Sequence, residues 1–366
     1  METKLRFRRQ AFTLVELLVV ITIIGILAAL ITAAGAGALK RARQAQIKVE
    51  VDQISMALQT FKDTYQSYPP NCQVDDDVVT GGEPSSAPLV ESQVLTDLQR
   101  QVKQVSGRRG EPDYLIRALA GLAAADSANT SNLAGGMSAG EALVFWLGGF
   151  SSDPKYPISG EGGPSYRIDN LGSTPAVQAD PIESRKWIFP FEVARLQPRT
   201  SDNFFDDSTN RFIEYTITIP GQNNNNPQRR RINFWQYVPS KSERPYLYFD
   251  VSRHPAAIVN GSNVLAPFDP PAASILNPNA LHVHAVKTRS ESAAANSPIQ
   301  FANQDKFQIL HAGVDEEWGE EEFERMTAHG GEPPEGYLLY PDGPFTGDVA
   351  DTIVNFSEGT LEASQP

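Results

Sequence analysis

Three places in the 366-residue chain hold residue types that could do chemistry. Gly136-Met137-Ser138-Ala139-Gly140 spells G-x-S-x-G, the pattern that lifts a nucleophilic serine on a sharp strand-to-helix turn. His282 and His284 stand two apart, which in a strand puts both imidazoles on one face, where they could ligate a metal. Asp75-Asp76-Asp77 crowds three carboxylates together. Each fails on its surroundings. The serine needs a strand before it, and SNLAG (Ser131 to Gly135) is a poor one. The histidines have no third ligand at a supporting spacing, which leaves a plain strand face. The aspartates lack the glycine and terminal glutamate of an EF-hand loop. No glycine-rich phosphate cradle occurs, which excludes a nucleotide-driven motor.

A fourth residue, Glu16, is chemically notable for its position. From Phe12 to Leu39 it is the sole ionisable side chain in 28 positions, a length of about 42 Å as helix, enough to span a bilayer. Lys4, Arg6, Arg8 and Arg9 precede this run and place the N-terminus in the cytoplasm. Lys40, Arg41 and Arg43 oppose that orientation. A secretory signal would carry its small-residue cleavage site after the apolar run, whereas Gln10-Ala11 come before it, so the span is expected to be retained. A carboxylate inside such a span costs about 2.5–3.5 kcal/mol. Two readings of Glu16 stay open: an acid at the membrane edge, or an acid kept for a cation. A cut before Phe12 would create that cation, the new α-amino group of a neighbouring subunit.

The elements that position these residues follow from periodicity. Ile47, Val51, Ile54, Leu58, Phe61, Tyr65 and Tyr68 lie on one helical stripe, with Lys48, Glu50, Asp52, Gln53 and Lys62 between them, so the stem packs on its own core. Pro69-Pro70 end a helix expected from Phe12 to Tyr68. In its membrane half, Gly25, Ala29, Ala33 and Gly37 recur every four residues, a small-residue face that lets helices approach closely in lipid. Helices are predicted over Val90–Val105, Tyr114–Ala125 and Glu141–Leu147. Strands are predicted over Trp187–Phe191, Phe212–Ile219, Ile232–Val238, Tyr246–Val251, Ala280–Val286 and Phe307–Leu310. The order is α+β, with an antiparallel sheet packed on the long stem. The expected domains are 1–11, 12–39, 40–70 and 71–366.

Composition narrows the partners. A net charge of −13 repels phosphate backbones, so no nucleic acid is expected, and Arg229 to Arg231 are too few to reverse this. Cys72 is the only cysteine and closes no internal disulfide.

The segment RRQA followed by FTLVELLVVITIIGILAALI closely resembles the leader and helix of type IV pilins and type II secretion pseudopilins. The resemblance implies cleavage by a prepilin peptidase between Ala11 and Phe12, N-methylation of Phe12, and Glu16 as fifth residue of the mature chain. Ala11 stands where the family usually has glycine, which implies slower processing. Implied partners are the prepilin peptidase, other pilin or pseudopilin subunits and the inner-membrane assembly platform. The assembly residues are Glu16, Gly25, Ala29, Ala33 and Gly37. The implied location is the inner membrane, single-pass, with the C-terminal part periplasmic, and then a filament. FQILHAGVDEEWG (Phe307 to Gly319) with DVADTIVNFS (Asp348 to Ser357) resembles the C-terminal part of the major pseudopilins. That likeness implies a structural calcium on the Ala312 carbonyl, Asp315 and Asp351. Glu316 and Thr352 depart from the pattern, so calcium and a metal-free loop both stay open. Glu316, Glu317, Glu320, Glu321, Glu322 and Glu324 read as a solvated acidic helix face. Two classes of function remain: a non-enzymatic filament subunit, or an enzyme or ligand-binding module displayed on a pilin-like stem.

Overall fold

The computed structural model describes residues 14–70, 87–106, 110–121, 129–131, 133, 136–168, 182–198, 211–221, 226–253, 256–259, 262–263, 285–289, 299–303, 305–318 and 339–366. Ala11, Phe12, Cys72, Asp75 to Asp77, His282, His284, Glu320 to Glu322 and Glu324 lie outside this set. Helix α1 runs from Leu14 to Tyr65 and is followed by antiparallel sheets, an α+β fold. The chain divides into two compact units, 1–46 and 47–366.

In the second unit the predicted stripe is buried: Ile47, Val51, Ile54, Leu58 and Phe61 turn into one core. Each such side chain contributes about 1.5–3 kcal/mol by leaving water. The helix ends one turn earlier than expected, at Tyr65, with Gln66 at φ +66°. Pro69 and Pro70 lack N–H groups but keep their carbonyls. The Tyr248 hydroxyl donates to Pro69 O at 2.6 Å and the Trp146 indole to Pro70 O at 3.1 Å.

Among the described residues three further α-helices are α2 (Ala87–Ser106), α3 (Asp113–Leu119) and α4 (Ala139–Leu147). Helix α3 stops before the expected Ala125, at a turn through Gly121. Helix α4 is wholly buried, and Gly149 beyond its end must be glycine. Its φ is +82°, and a Cβ there would lie 1.8 Å from the Lys186 carbonyl.

The first sheet has the order β1 (Thr130–Ser131), β4 (Phe212–Ile217), β5 (Gln228–Asn233), β2 (Tyr166–Arg167). Strand β3 (Leu196–Gln197) pairs with β6 (Gln236–Tyr237). A third sheet joins β8 (Ala256–Val259), β9 (Ser262–Asn263), β10 (Lys287–Arg289) and β11 (Ile299–Phe301). The fourth has the order β13 (Ile353–Val354), β12 (Gln308–His311), β7 (Leu247–Phe249). Its Tyr248, Ile309 and Ile353 join the core of the stem. The alternate residues Leu247, Phe249, Leu310 and Val354 join a second core with Trp318, Phe345 and Leu361.

Two strand expectations need correction, and a third falls largely outside the described residues. Trp187–Phe191 is not a strand; Ile188 and Phe189 donate to the Leu147 carbonyl, and Trp187, Phe189 and Phe191 form an aromatic cluster with Tyr237. Ile232–Val238 is broken between Asn233 and Gln236, so its two halves serve different sheets. Of Ala280–Val286 only residues 285 and 286 lie in the described set, just before β10.

Candidate functional site: an exposed apolar helix on a clamped stem

In the first unit, the large apolar side chains from Leu14 to Ile31 are exposed, Leu14 at 78% and Ile31 at 71%. Leu14–Tyr65 is the one helix among the described residues long and apolar enough to cross a membrane. Glu16 lies in its first turn, where the helix dipole favours an acid. Gly25 and Gly37 have nothing within 4 Å of where a Cβ would stand, and Ala29 is exposed, so that face is open to another helix. The side chain of Ala33 lies outside the described set.

In the second unit, α1 is held by a polar clamp that periodicity alone misplaced. Glu50, grouped with the solvent-side residues of the stem, sits at the edge of the buried stripe and faces inward. Its Oε1 accepts from Arg195 Nη1 at 2.7 Å, and its Oε2 accepts from Arg195 Nη2 and the Tyr246 hydroxyl, both at 2.5 Å. This bidentate fork is fixed from behind: Arg195 Nε donates to Val238 O at 2.8 Å, and its guanidinium lies 4.4 Å from the centre of the Tyr237 ring. Burial pushes the Tyr237 hydroxyl up to about 12 and the Tyr246 hydroxyl higher still, so both stay protonated and Tyr246 stays a donor. Two residues earlier, Lys48 Nζ donates to Val354 O at 3.1 Å and tethers the stem to β13.

The serine of the G-x-S-x-G segment has a structural task. Ser138 is the N-cap of α4: its Oγ accepts from Glu141 N, while a Glu141 carboxylate oxygen accepts from Ser138 N at 2.9 Å. Gln236 Nε2 donates to the same hydroxyl at 3.1 Å. The fully buried Glu141 carboxylate also accepts from Arg211 Nε at 2.7 Å, and Arg211 reaches on to Gly136 O. The residue types that suggested an elbow are those of a capping box.

The distal turn brings Asp351 to the Ala312–Asp315 segment. Asp351 Oδ2 accepts from Val314 N at 3.0 Å, and a Cβ on Gly313 (φ +94°) would stand 2.2 Å from Asp351 Oδ1, so only glycine lets the carboxylate close on this backbone. Asp315 Oδ1 accepts from Glu317 N at 3.1 Å. These bonds direct N–H groups at the carboxylates, whereas calcium requires six to eight oxygens. Among the described residues no three His, Cys, Asp or Glu are grouped so that they could hold a metal ion. Glu316 and Glu317 sit in this turn and not on a helix; Glu316 O accepts from Arg244 Nε at 2.8 Å.

Beside the turn lies His311, which the sequence did not single out. Its Nδ1 accepts from Gly313 N at 3.0 Å, and its Nε2–H donates to Arg244 O at 3.1 Å. The ring packs on Tyr246 of the clamp and on Trp318. Burial pushes its pKa down to about 4, against the pull of the Arg244 carbonyl, Asp351 and Glu50.

Residues 6–32 match the family model described as the prokaryotic N-terminal methylation motif. The chain carries that methylation motif. No curated protein and no solved structure matches the chain. The motif takes in Ala11, Phe12, Glu16, Gly25 and Ala29, while Ala33 and Gly37 lie beyond it. It covers the exposed apolar helix and none of the clamped unit, so the clamp and the distal turn rest on geometry alone.

Two measurements check this geometry. Glu50→Ala leaves a partly buried guanidinium and the Tyr246 hydroxyl without their acceptor, and should lower the stability of the detergent-solubilised full chain by about 3 kcal/mol in urea titration. The second concerns pH. His311 is neutral in the fold and titrates near 6.5 when unfolded, so its contribution is complete above pH 6.5 and is lost as pH falls through about 4. Between pH 7 and 4 the wild type should lose about 3 kcal/mol more than His311→Gln in the same titration.

Proposed function

We propose that the protein is a structural subunit of a type IV pilus-like or type II secretion pseudopilus filament. The observation that carries this is the methylation motif at residues 6–32 on a helix whose apolar side chains are exposed from Leu14 to Ile31. The motif marks a prepilin peptidase substrate, and the helix fits a membrane anchor. On the proposed reading the peptidase cuts between Ala11 and Phe12 and Phe12 is methylated. The N-terminus faces the cytoplasm and the second unit the periplasm until the inner-membrane platform moves the subunit into a filament. Glu16 of each subunit then pairs with the Phe12 amine of a neighbour. Gly25, Ala29, Ala33 and Gly37 let the helices close together. No catalytic role is assigned to any residue.

The distal turn is read as metal-free, closed by the hydrogen bonds of Asp351 and His311 on the 313–314 backbone. The full chain in detergent should melt at the same temperature in calcium and in chelator. A higher melting temperature with calcium, abolished by Asp315→Ala, would restore the ion.

Assembled material from the protein's own cells should yield a mature N-terminus at methylated Phe12 by mass spectrometry; an intact Met1 would refute the processing. Glu16→Ala removes a charge that costs about 2.5–3.5 kcal/mol in the membrane, so it should insert at least as well as wild type. It should nonetheless enter filaments poorly, because the Phe12 amine loses its acid. Normal incorporation would leave Glu16 as an acid at the membrane edge.

A further inference from the structure

On α1 the side opposite the buried stripe stays exposed through Val49, Asp52, Gln53, Met56, Thr60 and Asp63. Val49 is 54% exposed and Met56 63%; seven residues apart, they share one face. Among the described residues of the second unit, Val193 is the one other exposed large apolar side chain, and it lies two residues from the clamp arginine. Among those described residues the exposed large apolar side chains therefore centre on the stem. The residues eleven earlier than Val49, Gln53 and Met56 are Ala38, Ala42 and Ala45, all exposed. Eleven residues are about three helical turns, so the small residues repeat the same face. Charge follows the same interval: Arg41, Asp52 and Asp63 are spaced by eleven. The helix is basic at Lys40, Arg41 and Arg43, and its exposed face is acidic beyond. Asp52 keeps 54% of its side chain in solvent even while paired with Lys48 at 2.9 Å.

We propose that the Val49–Met56 face receives the Ala38–Ala45 segment of a second, parallel copy displaced by eleven residues, with that copy's Arg41 on Asp52. This rests on the filament reading, which makes all helices parallel because they enter the membrane with one polarity. A displacement of about 16 Å along the axis then sets Val49, Gln53 and Met56 against Ala38, Ala42 and Ala45, large side chains on small ones. It also brings opposite charges together at one position. With no displacement, Arg41 would face Arg41 and Asp52 would face Asp52.

The test uses the full chain, co-expressed with its prepilin peptidase and assembly machinery, with sheared filament as readout. Arg41→Asp and Asp52→Arg should each lower the yield about tenfold, and the double variant should restore it to within about twofold, since each reversal supplies the other's partner. That rescue also excludes misfolding as the cause of the single losses. In a Cys72→Ser background, Ala45→Cys with Met56→Cys should give cross-linked multimers on oxidation, and Ala45→Cys with Thr60→Cys should not. Neutral single reversals, a double variant no better than the singles, or equal cross-linking of both cysteine pairs would overturn the offset while leaving the filament intact. A wild type that forms no filament would overturn both readings.

Discussion

The Glu50 clamp is the interaction on which the second unit depends. A long helix with a narrow apolar stripe can slide or roll on a sheet, because dispersion and burial are nearly indifferent to small shifts in register. A carboxylate gripped by a planar guanidinium and a tyrosine hydroxyl is not indifferent. Arg195 comes from the turn before β3 and Tyr246 from the residue before β7, so one side chain of the stem registers α1 against two sheets at once. His311 extends the arrangement: its ring packs on Tyr246 and its Nδ1 holds Gly313, which ties the clamp to the distal turn.

The sheet β13-β12-β7 shows what this registration is for. Buried on both faces, it cannot read as alternating polar and apolar: its strands are short, and Leu247, Tyr248, Phe249, Ile309, Leu310, Ile353 and Val354 pack on one side or the other. Its outer face needs a cover, which Trp318, Phe345, Val349 and Leu361 from the C-terminal segments provide. Polar groups caught in these layers are met individually. Gln308 accepts from Val286 N at 2.7 Å and donates to Val286 O and Ala302 O, and Asn355 bridges to Ile309 N.

How far the fold was legible depends on the range of the interaction. The stem stripe, the helix ends at Pro69-Pro70 and Gly148-Gly149, and the cores of β4, β7 and β12 follow from local period and breakers, and those appear within a few residues of their expected places. Trp187–Phe191 was misread because aromatic alternation suits a strand and an aromatic cluster equally. The clamp was invisible because its members are 145 and 196 residues from Glu50, and each is an ordinary residue in its own neighbourhood. One signal was available for Glu50: it lies three residues after Ile47 and four before Ile54, at the border of the apolar stripe, where an acid faces the core's edge and not open solvent. For Ser138 the deciding signal was also local, since a glutamate three residues on makes S-x-x-E, a cap, before it makes anything rarer.

Two acids on one helix thus mark two kinds of surroundings. Around Glu16 the sequence is apolar on every side, and the side chains there are exposed in the single chain, so their burial must come from lipid or from other helices. Around Glu50 the sequence is apolar on one side only, and that side is already filled by the chain's own core. The pattern changes between Leu39 and Ile47, the stretch that carries Lys40, Arg41 and Arg43, and the chain's two compact units divide at its end. A helix that were merely a stem would need no all-round apolar half, and one that were merely a membrane span would need no stripe. Carrying both in sequence, α1 joins a half whose apolar side chains can be covered only by lipid or other helices to a half already covered by the chain's own core.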